Sequence, residues 1–231
     1  MSKKKSEQNK NIINKNDIKL IFLTTNETLY SSFELLTIYF TSTICSNIKN
    51  NNPTHIEYDR KIKSNLIHIH IISIDLNDEC NNKQYFIQSI LSADNIIVLV
   101  DQENIESFAI YKSILNFISN VAYVSYKTVK VIGISTKKEN ILENVNKENL
   151  MSISEAYGLK SEYKQFEKEN ESELVDILDE ASLKGLENHH KALESNDEDI
   201  RSNAITSPYD YYSERPDLEH DDNSMSKCII F

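Results

Sequence analysis

The sequence predicts an α/β fold built on a largely parallel central sheet. Short continuous apolar runs at 18–23, 95–100 and 129–134 have the character of strands covered on both faces. Segments of helical apolar spacing alternate with them along the chain. The length of 231 residues allows one domain of about 150 to 200 residues with tails.

Residues 1–17 are Lys/Asn-rich and too poor in apolar side chains to offset their ordering entropy, so they read as a loose arm. The first strand is IKLIFL from Ile18, bounded by Thr24-Thr25-Asn26. A helical segment with Phe33, Leu36, Ile38 and Phe40 follows, then the polar stretch SNIKNNNPT, which predicts a long surface loop. Leu66 to Ile74 is a strand that ends at Asp75. Because side chains alternate along a strand, His68 and His70 share one face of it. Their spacing suits a metal pair, but no third ligand is evident nearby, so they read as half-exposed edge or surface histidines.

The strand at 95–100 reads NIIVLV, and apolar positions 105, 108, 110, 114, 115, 117 and 118 mark a helix after it. Val129 to Ile134 is another buried strand. Leu150 to Tyr157 and Glu171 to Leu183 are helices, the latter with Leu174, Ile177, Leu178 and Ala181 on one stripe. The folded domain is thus expected over 18–185. Beyond Gly185, residues 186–227 are rich in acidic groups with two prolines and few apolar clusters, the composition of a disordered acidic tether.

Composition excludes several function classes. With 36 acidic and 25 basic residues the formal net charge is −11, which argues against DNA or any other nucleic acid as a partner. Ile and Asn make up a quarter of the chain, so strand propensity counts for less than pattern. The only glycines are Gly133, Gly158 and Gly185, so no Gly-rich phosphate loop exists in the first 132 residues. Three cysteines without CxxC spacing fit a reducing compartment. No apolar run approaches a membrane span. The N-terminus has no apolar secretory core, and Ser2 rules out N-myristoylation.

The last four residues, Cys228-Ile229-Ile230-Phe231, fit the C-a-a-X prenylation pattern, with a terminal Phe that favours geranylgeranyl. The Cys228 thiolate is the nucleophile, and the aliphatic pair suits a hydrophobic transferase pocket. Stable anchoring usually takes a second signal, and the acidic tail repels anionic lipid, so the expected anchor is reversible or confined to weakly anionic membranes. Lys3-Lys4-Lys5 offers a weak second contact. The expected location is the cytoplasmic face of a membrane, partly cytosolic.

An α/β domain followed by a polar tail and a prenylation box resembles the Ras superfamily of small GTPases, in its Ras/Rab-like rather than Rho-like branches. Leu91-Ser-Ala-Asp-Asn-Ile-Ile-Val-Leu-Val-Asp101, continuing through Glu106-Ser107-Phe108, is similar to the family's "ADGVILVYDVT..ESF" region in order and spacing. Lys19-Leu20 opens the first strand, Pro53-Thr54 falls at the switch I Pro-Thr, and Asp75 closes the strand before switch II. The resemblance implies a P-loop-type small GTPase fold, with about six mostly parallel strands and helices on both faces.

Its nucleotide motifs are degenerate. The phosphate loop corresponds to Thr24-Thr25-Asn26-Glu27-Thr28-Leu29-Tyr30-Ser31, followed by Ser32, and lacks both glycines and the lysine. A Cβ forced into the left-handed region costs about 1 to 2 kcal/mol, and loss of a charge-assisted contact about 1.5 to 3 kcal/mol. Switch II reads Asp75-Leu76-Asn77-Asp78-Glu79, and like charges about 4 Å apart repel by about 4 kcal/mol at an effective dielectric of 20. The guanine motif appears as Thr136-Lys137-Lys138-Glu139, and the last motif aligns with Lys164-Gln165-Phe166. Ser31, Thr54 and Asp75 fall on the family's Mg2+ positions, although each has an ordinary structural role as cap, loop hydroxyl or strand end.

The resemblance therefore implies a prenylated, membrane-tethered pseudo-GTPase, an interaction module for protein effectors or regulators. The alternative is a divergent switch that binds and hydrolyses GTP with Mg2+ and cycles to GDP. A third reading is an unrelated α/β domain with an accidental C-a-a-X end. The family's effector surfaces map to 53–62 and 78–86, with Tyr58 and Tyr85 on them; Tyr85 and Phe86 are the expected aromatic anchors, with core packing an equal alternative for Phe86.

Overall fold

Alternate residues of β1 (Asp17–Thr24) feed two different cores, and the whole architecture follows from that. Ile18, Leu20 and Phe22 enter one apolar cluster, Ile21 and Leu23 the other, and all five are buried. β5 (Asn95–Asp101) and β6 (Val129–Ser135) behave the same way, every residue buried along their length. This computed structural model describes residues 16–25, 48–52, 55–74, 87–121, 128–167 and 170–205.

Among the described residues the sheet has seven strands, in the order β2-β3-β4-β1-β5-β6-β7. β2 (Ile48–Asn52), β3 (His55–Ile62) and β4 (Asn65–Ile74) are joined antiparallel, and β4, β1, β5, β6 and β7 (Ser161–Glu167) run parallel. The chain is thus α/β with a mostly parallel sheet, consistent with a P-loop GTPase-like fold. One strand exceeds the expected six: Ile48–Asn52 lies inside the stretch expected as a surface loop and pairs with β3. β3 and β4 are linked through Lys63-Ser64, with Lys63 in the left-handed region at φ 54°.

Helices cover both faces. α1 (Ser107–Val121) and α2 (Lys147–Ala156) pack with the helical residues 87–92 on the Ile21/Leu23 side. The Tyr111 hydroxyl ties the first two together, 2.6 Å from the Ser154 hydroxyl. Asn146 caps α2 by accepting the Asn149 N–H at 2.9 Å. At its other end Gly158 (φ 70°) and Leu159 donate to the Glu155 and Ser154 carbonyls, the Schellman arrangement that needs a left-handed residue. α3 (Glu171–Leu193) covers the opposite face with Leu174, Ile177, Leu178 and Ala181. Arg60 of β3 clamps it there, its guanidinium donating two bonds of 2.6 Å to Asp179.

The boundary expected at residue 185 moves outward. α3 continues to Leu193, and α4 (Glu198–Ile205) follows within the span expected as a tether. Gly185 is no stop signal: a Cβ there would meet Leu20 Cδ2 at 3.2 Å, so the glycine lets the helix backbone lie close on β1. Polar chemistry then fastens the extension. Asp94 accepts the Lys19 N–H at 2.7 Å and faces His189 Nδ1 at 3.0 Å, while Asn188 donates to the Asp94 carbonyl at 2.9 Å. The Lys19 ammonium, with only 4 % of the residue exposed, donates to the carbonyls of Asn203 and Ala204 at 3.2 and 2.9 Å. A buried ammonium needs such acceptors, and a helix C-terminus supplies carbonyls and a negative dipole end.

Two outcomes follow. A chain ending at Asn196 is expected to lose about 1.5 to 3 kcal/mol in urea unfolding, because it removes the two α4 carbonyls that accept from the buried Lys19 ammonium; Lys19→Met in the shortened chain should recover part of that loss. Gly133→Ala should lower stability by about 1 to 3 kcal/mol through overpacking, since its Cβ would stand 2.5 Å from both Gln102 Oε1 and the Tyr163 hydroxyl. An unchanged denaturation midpoint would contradict that packing.

Candidate functional site

In open α/β sheets ligands sit outside the carboxyl ends of the parallel strands. That edge begins here at Thr24, the last residue of β1, and Thr25. The buried Thr25 donates its N–H to the Leu99 carbonyl at 3.0 Å, donates its hydroxyl to Ser107 Oγ at 3.0 Å, and accepts the Asp101 N–H at 3.1 Å. Asp101 Oδ1 in turn accepts the Glu103 N–H at 2.9 Å, which shapes the turn into α1. The ends of β1 and β5 and the start of α1 are therefore one hydrogen-bonded unit.

The neighbouring loop is closed by a carboxylate. The Thr136 N–H and hydroxyl both donate to Glu103 Oε1 at 2.6 Å, and Asn140 Nδ2 donates to the Thr136 hydroxyl at 2.8 Å. Burial raises the Glu103 carboxyl, but hydrogen bonds from the Thr136 side chain and backbone, Asn140 and the Lys137 backbone outweigh it and hold the group below its ordinary value. Lys137 has extended backbone and an exposed side chain, and Glu139 is exposed in the short turn Lys138–Asn140. Behind the loop, Gln102 is fully buried, donating to the Val145 carbonyl at 2.7 Å and accepting from the Tyr163 hydroxyl at 3.2 Å. Burial pushes that hydroxyl up to about 12, so it stays a donor at neutral pH.

Of the remaining expected residues, Asn26, Leu29, Tyr30, Ser31, Ser32, Thr54, Asp75, Asp78, Tyr85, Phe86 and Cys228 lie outside the described residues. Lys164, Gln165 and Phe166 fall within β7: Lys164 pairs with Glu180 at 3.1 Å, Gln165 donates to Ser135 Oγ at 3.0 Å, and Phe166 is in the core. Tyr58 does not lie on an exposed effector surface: it is 1 % exposed, because it shares the face of β3 with Ile62 and enters the core beneath α3.

The histidine pair also differs from expectation. β4 is an interior strand between β3 and β1, His70 is buried, and the side chain of His68 is only 11 % exposed. The strand register makes two rungs across three strands on one face: Asp59–His68–Asp17 and Glu57–His70–Lys19. His68 Nδ1 lies 2.6 Å from Asp59 Oδ1 and its Nε2 lies 2.9 Å from Glu57 Oε1, while His70 Nε2 lies 2.8 Å from Asp17 Oδ1. Burial raises the Asp17 carboxyl, yet the hydrogen bond to His70 and the charges of His70, His68 and Lys19 leave it below its ordinary value. Asp17 is the third potential ligand that sequence proximity could not supply, since it belongs to a different strand.

Glu103→Gln is expected to loosen the 136–140 turn and lower stability at pH 7. The wild-type carboxyl is depressed in the folded state, so its contribution is complete above the unfolded value near 4.5 and disappears as pH falls through the lower folded value. The gap between wild type and variant in urea midpoint should therefore close in acid; a gap independent of pH would contradict the assignment. No known protein family matches the chain, and comparison with curated proteins finds no match, so its chemistry has to be read from its own residues.

Proposed function

We propose that the chain is a prenylated, membrane-tethered Ras-like module with impaired or absent GTP binding, which works through protein partners. The observation that carries this reading is the pair of bonds from Thr136 to Glu103. At the position of the guanine-reading motif, the backbone N–H and hydroxyl are both committed to an internal carboxylate. A nucleotide base competing for them would have to displace a charge-assisted contact of about 1.5 to 3 kcal/mol. The missing glycines and lysine of the phosphate loop act in the same direction, because phosphates need close backbone N–H groups and a cation.

The tail supports the tethering half of the reading. Along the sequence Cys228 lies 23 residues past Ile205, the last residue of α4. Among the described residues no helix is long and apolar enough to cross a membrane.

Titration with labelled GTP and GDP in the presence of Mg2+ is expected to give no saturable binding up to millimolar concentration. Submicromolar binding would overturn the proposal in favour of a working switch. In cell fractionation, Cys228→Ser should move the protein from the membrane to the soluble fraction; equal membrane association of the two forms would remove the lipid anchor.

A further inference from the structure

We infer that Asp17, His68 and His70 form a binding site for a divalent transition metal of the zinc class. Three groups of suitable chemistry converge: two imidazoles two residues apart on β4 and a carboxylate from the adjacent β1, with ligating atoms all within 4.8 Å of one another. Imidazole with carboxylate suits Zn2+ and its first-row neighbours, whereas Mg2+ and Ca2+ take oxygen ligands. A modest closure of the side chains brings three such atoms to the roughly 2.0 to 2.2 Å that zinc requires.

The surroundings of His68 suit it as a ligand: Asp59 Oδ1 lies 2.6 Å from its Nδ1 and Glu57 Oε1 lies 2.9 Å from its Nε2. Whichever nitrogen of His68 ligates the metal, the other keeps a carboxylate partner. Such an outer carboxylate fixes ring orientation and strengthens the ligand.

The site would join β1 and β4 directly and β3 through Glu57 and Asp59. It lies at the start of β1, seven residues and so about 23 Å from Thr24 at the opposite sheet edge. It is therefore separate from Thr24 and Thr25 at the carboxyl end of β1.

The test uses the full chain, stripped with a chelator and titrated with Zn2+ against a competing indicator. One equivalent should bind, with a rise in thermal midpoint, and Co2+ should give a visible absorption band of a low-symmetry site. Asp17→Asn, at a half-exposed side chain, should weaken binding at least ten-fold while far-UV circular dichroism stays unchanged. Asp59→Asn, which leaves all three ligands in place, should weaken it by about 10- to 100-fold if Asp59 supports the ligating ring. Absence of stoichiometric Zn2+ binding would overturn the inference. So would equal affinity in wild type, Asp17→Asn and His70→Gln, since the metal would then be held elsewhere.

Discussion

Strands buried on both faces leave little room for polar groups along their middles, and this constraint sorts the chemistry of the molecule to the two edges of its sheet. β1, β5 and β6 give nearly all their central positions to Ile, Leu, Val and Phe, split between the two apolar clusters. Thr25, Asp101, Glu103 and Thr136 gather at one edge. Asp17, Lys19, Asp94, His70 and His189 gather at the other. Each set is dense in hydrogen bonds because a buried polar group without a partner costs about 1 to 3 kcal/mol.

The two edges differ in what their bonds leave available. Among the described residues of the carboxyl edge, the hydroxyls and N–H groups of Thr25 and Thr136 donate to neighbours within the chain. At the amino edge three carboxylates, Asp17, Glu57 and Asp59, are gathered around His68 and His70.

Much of this was legible in the sequence wherever burial is two-sided or helical spacing is strong. The runs at 95–100 and 129–134 are strands, and the stripes at 105–118 and 171–183 are helices. β7 escaped because SEYKQFE is mostly half-exposed, with Phe166 its one buried residue. β2 lies in an Asn-rich stretch of poor strand propensity, where pairing with β3 decides the conformation. The hairpin at Lys63-Ser64 lacks the glycine that usually marks a left-handed turn position. The reach of α3 was hidden by its polar face, since Asn188 and His189 are buried through hydrogen bonds to Asp94 and not through apolar contact. His68 and His70 were visible as a pair, but Asp17, Glu57 and Asp59 join them only through strand register, which no local pattern encodes.

The capture of the α4 carbonyls by Lys19 has a geometric consequence. It pins the last turn of α4 beside the start of β1, so the described fold closes with its final helix at the end of that strand away from Thr24.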